Sequence, residues 1–259
     1  MPSDTAMIRF ENVTKRLGSR NVLDDCSFTI EKGETFVIVG LSGAGKSVSL
    51  KHMVRLLTPD SGRVIVGDDC VSEASGRELE KIRRRFGYLF QSGALLQWLS
   101  VGANVGLPLR EHTKKGDEEI DVLALEKLKL VNLEEAWDKM PDNISGGMRK
   151  RVALARAIIM EPEIILYDEP TSGLDPVTSR QIDKLIDDTR KNLGVTSIVV
   201  THDLHSALAI GTRIAMLYEG KMIEVSTPEE FVKSKHEIAR RFLEAQYITK
   251  HGEWERAAT

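Results

Sequence analysis

Residues 40–47 read Gly-Leu-Ser-Gly-Ala-Gly-Lys-Ser, a composition and spacing able to wrap phosphate. Gly40, Gly43 and Gly45 let the backbone turn its N–H groups inward around anionic oxygens, and Ser42 and Ala44 complete the loop. Lys46 would then reach the β- and γ-phosphates of a nucleoside triphosphate, while the Ser47 hydroxyl would ligate Mg²⁺. A second group stands downstream at Asp168 and Glu169. Asp168 closes an apolar run, where a Mg²⁺-holding carboxylate belongs, and Glu169 beside it is placed to polarise an attacking water. His202 and His205, three apart, have a spacing that can bind metal on a helix, but no third or fourth ligand stands nearby.

Positioning these groups requires strands and helices in alternation. The apolar, β-rich residues 35–39 lead into the phosphate loop and the helix-like residues 48–54 leave it, so the helix dipole faces the same anion. Upstream, residues 7–13 and 22–30 read as a hairpin about the turn at 18–21. Downstream come a turn at 58–62, a short strand at 63–66, a charged helix at 78–85 and a strand at 86–90 running into Gln91. Residues 117–160 recur at helical spacing and are broken at Pro141-Asp142-Asn143, with a second helix after Gly146-Gly147. A buried strand at 163–167, a helix at 176–192 and a strand at 197–200 ending in Thr201-His202 follow. This alternation predicts an α/β fold with its ligand at the carboxyl ends of the strands.

Taken in order, these motifs resemble the ABC (ATP-binding cassette) ATPases across nearly the whole chain. Gly40 to Ser47 matches the Walker A loop, Gln91 the Q-loop glutamine, Ile144-Ser145-Gly146-Gly147-Met148 the signature, Ile164 to Glu169 the Walker B strand and glutamate, Ser172-Gly173-Leu174-Asp175 the D-loop, and His202 the switch histidine. The resemblance implies a P-loop NTPase fold: an ABC-type core with an antiparallel β subdomain and an α-helical subdomain. The expected ATPase domain is residues 1–227, the helical subdomain about 92–162, and residues 228–259 a helical tail. It implies ATP and Mg²⁺ as ligands, with Ser47, Gln91 and Asp168 at the metal, Glu169 as base, His202 at the γ-phosphate and Asp175 coupling two sites. Ser145, Gly146 and Gly147 would open a helix as an anion site. In this family a second copy supplies the signature, so one set of motifs implies a dimer, most simply of identical subunits.

Three positions depart from the common pattern. Ile144 stands for leucine, a volume-conserving swap. Met148 stands for glutamine and keeps the backbone donors. Leu17 stands where many relatives carry an aromatic that stacks on adenine, with Arg16 the alternative cover.

Residues 89–96 and 104–111, and Met148 followed by Arg149-Lys150-Arg151, are similar to the ATPases of Mla and Mce lipid transporters. That likeness implies an integral-membrane permease of the MlaE kind and MCE-domain and STAS-domain proteins as partners. The subunit would be cytoplasmic and peripheral on the inner face of the bacterial inner membrane. Leu96-Gln97-Trp98 departs from the Phe-Asp-Ser of typical relatives. Other substrates within the family, and a soluble non-transport ABC protein, are the rivals; the latter carry two cassettes or a long coiled coil, which this chain does not.

Composition sets bounds around this reading. With 29% charged residues and a net charge of −3, the chain has no global basic field for nucleic acid or anionic lipid. Its local basic runs, Arg83-Arg84-Arg85 and Arg149-Lys150-Arg151, read as solvated helix faces. Cys26 and Cys70 lack metal spacing and suit packing in a reducing compartment. The first six residues carry no signal-peptide pattern. Residues 87–109 hold no charge, but their glycines, Pro108, Gln91, Gln97 and Asn104 would serve a membrane-spanning helix poorly. Either this stretch is the groove that receives a permease helix, with Trp98 in the interface, or Trp98 and Leu99 pack the helical subdomain. In the tail, Ile238, Ala239, Phe242, Leu243 and Ala245 form one apolar face that docks on its own domain or on the sister subunit.

Overall fold

The computed structural model describes residues 6–246, so the opening residues without a signal pattern and the last part of the tail, 247–259, lie outside it. The described residues divide into two compact units, 6–74 with 199–246, and 75–198.

In the first unit, strands β1 (Ala6–Leu17) and β2 (Arg20–Glu31) form the hairpin, each longer than its apolar alternation suggests. Strand β3 (Thr35–Val39) is buried at every position, as a strand covered on both faces must be, and runs into the phosphate loop and helix α1 (Lys46–Met53). Strands β4 (Ser61–Val66) and β5 (Asp69–Cys70) complete an antiparallel sheet of order β2-β1-β4-β5. Phe10 stacks on Phe28, and Phe28 on Phe36, which fills the hairpin's inner face. Cys26 is buried and its thiol donates to the Gly220 carbonyl at 2.8 Å.

The second unit opens with helix α2 (Gly76–Arg83) and strand β6 (Phe86–Leu89). Helix α3 (Val101–His112) lies where local propensity argues against one, since it contains Gly102, Gly106 and Pro108. Tertiary packing overrides propensity there. Ser100 caps the helix by accepting the Ala103 N–H, and a side chain at Gly102 would meet the Trp137 ring at 2.5 Å. Buried Asn104 binds the Leu96 N–H and carbonyl and the Leu99 and Ser100 carbonyls, fixing the preceding loop. Helices α4 (Asp117–Leu130) and α5 (Gly146–Ile158) pack with α3. Strand β7 (Ile164–Asp168) is wholly buried and pairs parallel with β6, and helix α6 (Pro176–Leu193) follows.

Strand β8 (Thr196–Thr201) carries the chain back to the first unit. There, helix α7 (Leu204–Ile210) precedes strands β9 (Arg213–Tyr218) and β10 (Lys221–Ser226). β9 pairs parallel with β3 and antiparallel with β10, and Arg213 makes two contacts of 2.8 Å with Glu34. Helices α8 (Pro228–Phe231) and α9 (Glu237–Ala245) end the described chain. No helix among the described residues is long and apolar enough to cross a membrane.

As far as Gln246, the tail packs within the chain's own first unit. Phe231, Ala239, Phe242 and Leu243 are buried, whereas Ala245, assigned to the same face by spacing, is exposed. Phe242→Ala is therefore expected to lower unfolding free energy by about 3 kcal/mol, while Ala245→Ser changes it by less than about 0.5 kcal/mol. Urea unfolding of the purified chain measures both.

Candidate functional site

The phosphate loop and His202 belong to the first unit. The loop's shape is imposed by close backbone approach: Gly40 and Gly45 have φ of 152° and 105°. A Cβ at Gly40 would lie 2.3 Å from the Leu217 carbonyl oxygen, and one at Gly45 would lie 2.2 Å from that of Val22. Only glycine fits both the conformation and the space. Gly45 also caps α1, and Gly43, with φ of 77°, faces open space. Lys46 is buried, and its ammonium donates to the Gly40 and Leu41 carbonyls at 2.9 and 3.2 Å. The cation is thus drawn back over the loop that the sequence assigns to phosphate. Ser42 is exposed, Ala44 buried and Ser47 half-buried as the second residue of α1.

His202 is exposed just beyond β8, on a loop held from two sides. Asp203 caps α7 by accepting the His205 and Ser206 N–H groups. Gln246, at the end of the described tail, donates to the His202 carbonyl at 2.7 Å and accepts the Leu204 N–H at 2.9 Å. Among the described residues no cluster of three or more His, Cys, Asp or Glu side chains could hold a metal ion. Leu17 is exposed, and the Arg16 guanidinium donates to the Gly18 carbonyl at 3.1 Å.

The second unit holds the remaining candidates. Asp168 ends β7 at 7% exposure, 3.5 Å from the Tyr88 hydroxyl; burial, reinforced by Asp168, pushes the Tyr88 phenol up. Glu169 follows with a left-handed φ of 47°, a conformation that costs a non-glycine residue free energy and marks sites where geometry is imposed. Its carbonyl accepts the Ser172 N–H at 3.2 Å, and the Gln91 side-chain amide donates to the Ser172 hydroxyl at 3.4 Å. Ser145 caps α5 by accepting the Met148 N–H at 3.2 Å, which places exposed Ser145, half-buried Gly146 and buried Gly147 at the positive end of a 13-residue helix. Asp175 caps α6, accepting the Val177 and Thr178 N–H groups at 3.0 Å. The Thr178 hydroxyl, then its N–H, hold that carboxyl below the usual carboxylate range.

Lys150 corrects the reading of its basic run as a solvated face. It is 5% exposed, and its ammonium donates to the carbonyls of Gln91 and Glu169. Burial pushes it down to about 8, opposed by Asp168 and Glu169. Arg149 also turns inward to the Ile144 carbonyl at 2.7 Å. The available signal was position: the residue five beyond Ser145 returns to the inward face of a helix whose buried residues include Gly147 and Leu154. Arg83 and Arg84 are exposed, as a solvated face requires, while Arg85 pairs with Glu163 at 3.1 Å.

Comparisons with known proteins place the chain in a family. Residues 23–172 match the family described as ABC transporter. The chain is 41% identical over 241 residues to the probable ribonucleotide transport ATP-binding protein Mkl of Mycobacterium tuberculosis, covering 93% of this chain and 67% of that protein. It is 37% identical to the intermembrane phospholipid transport system ATP-binding protein MlaF of Haemophilus influenzae, covering 93% of this chain and 91% of that one. Among solved structures, the dimeric post-hydrolysis state of the ATP-binding cassette MJ0796, bound to ADP and Pi, superposes with a TM-score of 0.79 at 36% identity, covering 86% of this chain and 99% of that one.

The close approaches at the loop generate a direct test. Gly45→Ala forces a Cβ onto the Val22 carbonyl in a left-handed conformation, so ATP affinity is expected to fall at least about tenfold. Equilibrium titration with a fluorescent ATP analogue measures the loss.

Proposed function

The chain belongs to the ABC transporter family of ATPases, and from that premise we propose that it powers a bacterial transporter moving phospholipid or a related lipid between membranes. ATP binding and hydrolysis, a dimeric cassette and partnership with a membrane permease come with the family. The lipid substrate, the MlaE-like permease, the MCE-domain and STAS-domain partners and the place on the inner face of the inner membrane are our reading. Its support is the likeness to MlaF over nearly all of both chains, together with Met148 and the Arg-Lys-Arg run after it.

In this reading Lys46 leaves the carbonyls of Gly40 and Leu41 to meet the β- and γ-phosphates, and the loop N–H groups with the start of α1 take the remaining charge. The donors proposed for Mg²⁺, the Ser47 hydroxyl, the Asp168 carboxylate and the Gln91 amide oxygen, are hard oxygens of the kind that ion prefers. Bound there, Mg²⁺ would neutralise charge on the phosphate oxygens. Glu169 accepts a proton from water as the water oxygen bonds to the γ-phosphorus; the bond from that phosphorus to the β-phosphate oxygen breaks, leaving ADP and phosphate. His202 binds the γ-phosphate, and the second copy's signature helix, opened by Ser145, Gly146 and Gly147, closes on the same nucleotide, with Asp175 coupling the two sites. Glu169→Gln is expected to lower steady-state hydrolysis about a hundredfold or more while ATP still binds. A phosphate-release assay beside the titration above decides.

Two surface features of the second unit support a permease partner, and the exposed Trp98 is the one that carries the test. Trp98 is 73% exposed, so it does not pack the helical subdomain. In the same unit, a groove of about 840 Å³ is lined by Tyr88, Phe90, Ala94, Leu107, Pro108 and Met160, with Glu80, Arg83, Arg84, Glu111 and Arg156 beside them. An apolar floor with a mixed-charge rim suits one helix of a membrane subunit. Trp98→Glu is expected to leave hydrolysis by the free subunit within about twofold of wild type, as surface substitutions do, and to abolish co-purification of the permease. Mass spectrometry of protein and lipid recovered with the tagged chain from gently solubilised membranes reads both outcomes. A permease recovered without phospholipid would favour another substrate, and soluble partners alone would overturn the transporter reading.

A further inference from the structure

A buried lysine needs acceptors, and those of Lys150 are the backbone carbonyls of two residues assigned to the reaction. Its ammonium donates to the carbonyl of Gln91 and, at 3.2 Å, to that of Glu169. Three further facts tighten this connection. Glu169 is held in a left-handed backbone conformation, which persists only where its surroundings over-determine it. The same Glu169 carbonyl also accepts the Ser172 N–H. The Ser172 hydroxyl in turn accepts the Gln91 side-chain amide, so Gln91 and Glu169 are joined twice, once through Lys150 and once through Ser172.

We propose that Lys150 is a positioning residue for hydrolysis, reaching from the signature helix to fix the backbones of Gln91 and Glu169 and so to aim their side chains. The inference rests on the assignment of Glu169 as base. It goes beyond that assignment by making α5 do two jobs from one helix. Its first turn offers Ser145, Gly146 and Gly147 to an anion, and its next turn holds the groups that address the attacking water. Whatever displaces α5 must then also displace Gln91 and Glu169. Replacing a lysine that served only structure by methionine, which has similar length but no donor, would lower stability by leaving two carbonyls short of a partner, without a loss of kcat at unchanged affinity and melting temperature. A positioning lysine so replaced shows that loss.

The test compares Lys150→Met, Lys150→Gln and Glu169→Gln in the full-length chain, measuring kcat and KM for ATP hydrolysis, affinity for a fluorescent ATP analogue and thermal melting. Lys150→Met is expected to lower kcat at least about tenfold, as small misplacements of catalytic groups do, with nucleotide affinity within about twofold of wild type. Lys150→Gln, one bond shorter but still a donor, is expected to fall between Lys150→Met and wild type. Wild-type kcat in Lys150→Met while Glu169→Gln is inactive would overturn the proposal alone. So would equal kcat in the two Lys150 variants, or a parallel loss of kcat, affinity and melting temperature. Wild-type hydrolysis by Glu169→Gln would instead overturn the base assignment and the proposal with it. Where Lys150→Met does not fold, Lys150→Gln decides: a kcat lowered about threefold or more at unchanged affinity supports positioning, and wild-type kinetics overturn it.

Discussion

Desolvation governs where this chain can put its polar groups. Strands β3, β7 and β8 are buried along their entire lengths, so charge enters only where a strand ends, and Lys46, Asp168 and Glu169, which stand at or just beyond those ends, are themselves buried, while His202 is exposed. Those ends are Gly40 with the phosphate loop, Asp168 with Glu169, and Thr201 with His202. Each is matched by a group from elsewhere: Lys46 on the Gly40 carbonyl, Tyr88 by Asp168, Lys150 on the Glu169 carbonyl, Gln246 on the His202 carbonyl. The same low-polarity surroundings that make an unpaired group expensive make a charged phosphate strongly felt when it arrives.

That principle separates what could be read along the chain from what could not. The phosphate loop, the two carboxylates and His202 were legible because their chemistry is local: a residue type, a short spacing and an apolar run before it. Their supports were not, because each is a long-range contact. Lys150 sits in a basic triplet that reads as a solvated face, and only the fold shows it pointing at carbonyls 59 and 19 positions away. Gln246 reaches the His202 loop over 44 positions. Helix α3 was illegible for the complementary reason. Its glycines and Pro108 argue against a helix locally, whereas the Trp137 ring needs a residue without a side chain at Gly102. Propensity is a weak prior that close packing can overrule.

The capping groups show how one residue type serves fold and chemistry together. Ser145 and Asp175 both satisfy the first N–H groups of a helix, as any good cap would. Asp175 is committed to this task by two N–H groups and the Thr178 hydroxyl. Ser145 accepts a single long bond at 3.2 Å and is exposed, followed by two glycines that keep side chains away from the helix start. The second arrangement leaves room for an incoming anion, and the first fixes the helix that follows the loop of Glu169. Both are caps in the fold; the difference is one of engagement.

Substrate and machinery are written in different parts of such a chain. Relatives named for ribonucleotide and for phospholipid transport match this chain at 41% and 37% identity, so proteins of similar overall likeness are named for different cargoes. In the reading proposed above the membrane partner chooses the cargo, and that choice falls to surfaces the core does not need. The loop at Leu96-Gln97-Trp98 meets this condition. Asn104 holds its backbone from within α3, while the side chains of Gln97 and Trp98 are exposed. An exposed tryptophan on a rigidly held loop loses little conformational entropy when covered and contributes a large apolar face, which makes it a good anchor for one partner and a poor one for others.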